Sequence, residues 1–112
     1  MGVIMEISVE EFQKIDIRIG KIINANQISS SKNLIKISVD FGDVKKQSVS
    51  GLLRWYKPED LVNKMGVFVL NLKSRKVMGI ESQCMILAAE DSKGEVVVLQ
   101  PEREIQIGSK IR

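Results

Sequence analysis

Between Ile35 and Phe41 every second residue is apolar: Ile35, Ile37, Val39 and Phe41 alternate with Lys36, Ser38 and Asp40. Side chains that point to opposite faces in turn satisfy this pattern, whereas a 3.6-residue helical period would scatter it around the whole circumference. The segment is therefore a strand with one face in a core and the other in water. Gly42-Asp43 follows at once, the two-residue signal of a tight hairpin, so Val44 to Ser50 is expected to return antiparallel with Lys45, Lys46 and Gln47 exposed.

Further strands are readable on both sides of this hairpin. Ile15, Ile17 and Ile19 alternate with Asp16, Arg18 and Gly20. Lys21 breaks the phase before Ile23 and Ala25 resume it, so a long first strand with a bulge or bend at Gly20 is expected. Val67 to Leu70 and Cys84 to Ala89 are continuous apolar runs, the pattern of strands covered on both faces. Ser92-Lys93-Gly94 reads as a hairpin loop leading into a strand from Glu95 to Gln100, and Pro101 stops the pairing. Ile105 and Ile107 suggest a last extended segment. Two short helices interrupt the strands. Ser8-Val9-Glu10-Glu11 is a capping box that starts a helix from Val9 to Lys14, with Val9 and Phe12 sharing a face to bury. Pro58, followed by Glu59 and Asp60 in a first turn, starts another that runs to Asn63.

Composition removes most chemistries. The chain has 112 residues, the length of a single domain over residues 1–112, and 44% hydrophobic with 28% charged residues is a globular composition. No apolar run approaches the ~18 residues of a membrane span, and no secretory signal is visible at the start, so a cytoplasmic protein without membrane contact is expected. Histidine is absent and cysteine occurs once, as Cys84. Histidine-based nucleophilic triads are excluded, and a zinc cage would need ligands from other chains. Acidic residues occur as adjacent pairs that suit solvated element ends, and no glycine-rich phosphate loop precedes a helix. No catalytic residue, metal or cofactor is expected. A net charge of +3, with a pI near 9.1, favours a polyanionic partner.

The order strand, strand, strand, short helix, strand, strand is that of an all-β, five-stranded Greek-key barrel of the OB type. A short helix lies between strands 3 and 4, with terminal extensions at residues 1–14 and 101–112. That fold presents ligands on strands two and three, flanked by the loops joining strands one to two and four to five. Here the loops are Ser29 to Asn33 and Lys73 to Ser82. Lys73, Arg75 and Lys76 fall in the second loop, and Lys32, Lys36, Lys45 and Lys46 on the remainder of the face. Such groups neutralise phosphates and release condensed counterions, although a solvated loop would carry the same residues. Trp55 and Tyr56, between Arg54 and Lys57, form either a stacking platform for bases or an anchor for the helix entry.

The segments Ile15 to Ile22 (IDIRIGKI), Val39 to Gly42 (VDFG), Ser50-Gly51 and above all Asn71 to Ala89 (NLKSRKVMGIESQCMILAA) resemble the structure-specific tRNA-binding domain. That domain is appended to the carboxyl end of many methionyl-tRNA synthetases, and also occurs free, in tyrosyl-tRNA synthetases and in endothelial monocyte-activating polypeptide. The resemblance implies an OB-fold module that binds tRNA by shape and backbone, working in trans or as a small (beta) subunit of methionyl-tRNA synthetase. It also implies a homodimer built through the amino-terminal helix and carboxyl-terminal residues. By position it assigns phosphate contacts to Lys73, Arg75 and Lys76, and tRNA-binding roles to Ser82 and Met85. Two departures stand out. The family's His-Pro-Asn-Ala-Asp-Lys loop is Ile28-Ser-Ser-Ser-Lys-Asn here, and its proline between the two basic positions is Ser74. Export-related chaperones resemble the same fold, so the alternative is a dimeric chaperone-like or assembly module that binds unfolded peptides.

Overall fold

The computed structural model describes residues 4–112; the first three residues of the amino-terminal extension lie outside them. In chain order the elements are α1 (Val9–Gln13), β1 (Ile17–Gln27), β2 (Ile35–Asp40), β3 (Lys45–Ser50), α2 (Pro58–Leu61) and β4 (Met65–Val69). They continue with β5 (Arg75–Val77), β6 (Ile80–Ser82), β7 (Met85–Ile86), β8 (Ala88–Glu90) and β9 (Val96–Val98). Five strands form one antiparallel sheet in the order β3-β2-β1-β4-β7. It curls into the nearly closed OB-like barrel expected from the sequence, with α2 between the third and fourth strands.

Alternation places Ile35, Ile37 and Val39 inside, fully buried, against Phe41, Ile22, Leu61 and Phe68. β1 spans the barrel: its first half pairs with β4, from Ile17↔Val69 to Lys21↔Met65, and its second half with β2, from Lys21↔Asp40 to Gln27↔Ile35. The bulge lies between Ile22 and Asn24 rather than at Gly20. Ile22, ahead of the bulge, is buried in the core on the face of Gly20, and Ala25 is the next inward residue after it; Ile23 is exposed, the reverse of the expected phase. Gly20 has another reason. A Cβ there would stand 2.5 Å from Val39 Cγ1 and 2.6 Å from Phe41 Cε1, so its lack of a side chain admits those two into the core.

Other boundaries differ for local reasons. α2 ends at Leu61 because Asn63 takes a left-handed φ of 75° and its amide donates to Ile22 O at 2.7 Å, tying the chain back to β1. The Cys84–Ala89 run is not covered on both faces. It divides into β7 and β8, with Met85 and Ala88 to Glu90 exposed. The last extended pairing falls at Gly108 to Ile111, whose backbone bonds Ile19 and Ile17, and not at Ile105. The Ser8 capping box is present, with the Glu11 amide donating to Ser8 Oγ at 3.0 Å. α1 nevertheless buries none of its residues, and Val9 is 67% exposed, so the face expected to pack inward stays largely open. No helix among the described residues is long and apolar enough to cross a membrane.

At the start of β1 the Arg18 guanidinium donates two bonds to the Asp16 carboxylate, at 2.9 and 2.8 Å, and also reaches Asp43 in the β2–β3 turn at 3.4 Å. The Arg18 hydrogen bonds hold the Asp16 carboxyl below its ordinary range. A lowered folded pKa makes this contribution complete above the unfolded carboxylate's value of about 3.9, and it is lost as the pH falls through the folded value. Asp16→Asn is therefore expected to cost on the order of 1 kcal/mol between pH 5 and 8. That difference from wild type should shrink in urea unfolding as the pH is lowered from about 3.9 through the folded value.

Candidate nucleic-acid interface

The expected strand-four-to-five loop is largely a hairpin. β5 and β6 pair in the register Arg75↔Ser82, Lys76↔Glu81 and Val77↔Ile80. The turn between them is Met78-Gly79, both with positive φ (52° and 80°), as a two-residue hairpin loop with the strands' right-handed twist requires. Consecutive residues of a strand face opposite ways. Arg75 thus shares a face with Ser82, while Lys76 lies with Glu81 on the other.

This hairpin hangs from the free edge of β3. Gln83 N donates to Gln47 O at 2.9 Å, Gln47 N to Gln83 Oε1 at 3.0 Å, and Gln47 Nε2 to Glu81 O at 2.8 Å. The Val49 amide donates to Ser82 Oγ at 3.0 Å. These contacts close the barrel where the edge strands β3 and β7 would otherwise part. A cleft of about 480 Å³ opens along the seam, with Lys73, Arg75, Ser82 and Met85 among its lining residues. Four residues singled out in the sequence therefore converge on one site. Lys73 and Arg75 are exposed, Ser82 is buried, and Met85 is 45% exposed rather than a core residue.

The remaining basic candidates stand apart from the cleft lining. Lys36 is half-buried on the outer face of β2, directly opposite Val49, which lines the cleft. Lys45 shares that face but lies at the far end of the hairpin, opposite Asp40. Lys46 was expected to be exposed beside Lys45; it is half-buried on the inner face, opposite Val39. Strand alternation separates the two lysines. Lys32 is exposed in the β1–β2 loop, which meets the hairpin tip through Ser30 Oγ and Met78 Sδ, 4.0 Å apart. Tyr56 is an anchor rather than a platform, since its hydroxyl accepts the Val98 amide at 3.1 Å and its ring packs on the core. Trp55 is half-buried, with the Arg54 guanidinium 5.6 Å from its ring centre.

Ser48, Ser50 and Leu72 also line the cleft and were not singled out. A signal existed in β3, whose inward positions Lys46, Ser48 and Ser50 are all polar. Such a strand cannot be packed on both sides by aliphatic neighbours. Cys84 lies beneath the cleft, and burial pushes its thiol up to about 11 against the opposing influence of Lys46. It stays a neutral thiol, donating to Gln47 O at 3.8 Å.

Comparison with known proteins identifies the family of the chain. The family described as "Putative tRNA binding domain" matches residues 17–110. Methionine–tRNA ligase of Archaeoglobus fulgidus is 49% identical over 106 residues, which cover 95% of this chain but only 16% of the ligase. Among solved structures, a MetRS-related protein from Pyrococcus horikoshii superposes with a TM-score of 0.93 at 35% identity, covering 97% of this chain and all of that one. The chaperone CsaA of Bacillus anthracis superposes with a TM-score of 0.87 at 33% identity, covering 96% of this chain and all of that one. With the matched residues running from the first strand through the cleft to the carboxyl-terminal pairing, the chain belongs to the tRNA-binding domain family.

Proposed function

We propose that the chain is a single non-catalytic module that binds folded tRNA in the β3–β7 cleft and delivers it to methionyl-tRNA synthetase, in trans or as a small subunit. The observation that carries this reading is the convergence of Lys73 and Arg75 with Ser82 and Met85 on one cleft in a tRNA-binding domain. Lys36 adds charge beside it, while Lys32, Lys45, Lys46 and Lys76 act at longer range. The synthetase as partner is supported by the ligase relatives and by the full-length likeness to a MetRS-related protein. Phosphate contacts predict a linear fall of log affinity with log salt, at roughly 0.7 to 0.9 per phosphate neutralised. Filter binding of total tRNA between 50 and 300 mM salt tests this, and a flat line contradicts it.

We also propose a homodimer through α1 and the carboxyl terminus. Val9, Phe12 and Gln13 line a groove of about 380 Å³ with Lys110 to Arg112, and the apolar members of α1 have no other cover. Two cleft-bearing copies on one RNA gain from effective concentration. Deleting residues 1–14 is expected to give a monomer on gel filtration that binds tRNA about a hundredfold more weakly. A truncated chain that remains dimeric refutes this interface.

The likeness to CsaA supports a second reading, a dimeric module that holds unfolded peptides. Gel filtration of an extract separates the two readings: co-elution with tRNA and synthetase supports the first, and with unfolded secretory precursors the second.

A further inference from the structure

We propose that the β3–β7 cleft takes one unstacked nucleobase of the bound RNA, with the flanking phosphates held at its mouth by Lys73 and Arg75. This rests on the tRNA-binding reading and specifies what enters the site. The barrel interior is aliphatic and aromatic; among the described residues its two buried polar side chains are Ser48 and Ser82, and both line this cleft. Their hydroxyls keep protons to give. Ser82 Oγ accepts the Val49 amide, which leaves its own hydrogen free to donate. Ser48 and Ser50 lie 3.1 Å apart and share one hydrogen, leaving the other for a ligand.

The remaining walls include Leu52, Leu72, Met85 and Ile86. A phosphate driven between them would give up its water to largely apolar walls, whereas the exposed Lys73 and Arg75 can meet it at the mouth, where it stays hydrated. A base suits these surroundings. Its faces are apolar and match the leucines and the polarisable Met85 thioether, and its edge carries carbonyl and ring-nitrogen acceptors for serine protons. The volume of about 480 Å³ lies within the range of small-ligand pockets, about 300–1,000 Å³, and suits one nucleotide rather than a duplex. Folded RNA offers such bases in its loops.

The test combines two measurements on the whole chain. Met85 is 45% exposed, so Met85→Ala leaves the core intact. It is expected to weaken tRNA binding roughly tenfold, the effect of losing one base contact. The slope of log affinity against log salt should stay unchanged, because no phosphate contact is lost. In NMR titrations, nucleoside 5′-monophosphates should shift the Met85 methyl and the Ser48 amide, and ribose 5-phosphate should leave both in place. Equal shifts from ribose 5-phosphate, or wild-type affinity in Met85→Ala, would overturn the base pocket while the wild-type salt slope still upholds tRNA binding. Shifts from an unfolded apolar polypeptide and from no nucleotide would also overturn it. A wild-type chain with no affinity for tRNA defeats both readings together.

Discussion

Reversing two charges at the cleft mouth, Lys73→Glu with Arg75→Glu, is expected to weaken tRNA binding a hundredfold or more at about 0.1 M salt. Each substitution removes a phosphate contact and sets a carboxylate against the backbone, and like charges brought together at an interface cost several kcal/mol. Lys76→Glu should change affinity by less than about threefold. Lys76 adjoins Arg75 in sequence, but it lies on the other face of β5, opposite Glu81. Charge clustering alone would rank the three residues alike, so the contrast tests the hairpin geometry itself. Lys73 and Arg75 are exposed and appear in none of the ion pairs among the described residues, so the double variant should unfold within about 0.5 kcal/mol of wild type. Fluorescence anisotropy with labelled tRNA and urea unfolding together check both halves. A loss in Lys76→Glu as large as in the double variant contradicts this orientation.

The largest effect on stability is expected at Phe68→Ala, about 3–5 kcal/mol. Phe68 is fully buried on β4 and meets Phe41 edge to face, with ring centres 5.4 Å apart and planes at 88°. The pair joins β4 to the end of β2, across the first half of β1. Its removal leaves a cavity at the centre of the barrel and deprives Phe41 of its favourable ring edge. Against a total stability of roughly 5–15 kcal/mol for a natural domain, the variant should be marginal at 37 °C. Its urea midpoint should fall with an unchanged slope, since the surface exposed on unfolding is the same. A cost below about 1 kcal/mol would show that the core is not organised around these rings.

The barrel was legible because its strands obey a strict period and its turns carry their own chemistry. Ile35 to Phe41 and Gly42-Asp43 announce β2 and its hairpin without reference to the rest of the chain. The Ser8 capping box was equally local. What stayed hidden depends on contacts between distant segments. In β1 the core face carries Ile22 and, past the bulge, Ala25, while Ile17 and Ile19 stand outside the core cluster, and the isoleucine alternation up to Gly20 does not reveal it. The β5–β6 turn places a methionine, Met78, at positive φ, where glycine, asparagine or aspartate is the usual signal, so the segment read as a loop. Without that hairpin, Arg75 could not be separated from Lys76, nor Lys45 from Lys46 without the pairing of β3. Lys73, Arg75, Ser82 and Met85 were named from the charge cluster and the family resemblance. Ser48 and Ser50 joined them only when β3 met the hairpin at the seam. The exposed face of α1 shows the converse: a helix legible in the sequence that buries none of its residues.

Amide chemical-shift mapping of the isotopically labelled chain with tRNA tests directly whether RNA occupies the β3–β7 cleft. The largest shifts are expected at 48–52, 72–75 and 82–86, with smaller ones at Lys36 and none that depend on tRNA at Glu95 or Val97. Shifts concentrated on α1 and Lys110 to Arg112, with the cleft residues unmoved, would place the RNA elsewhere and contradict the account.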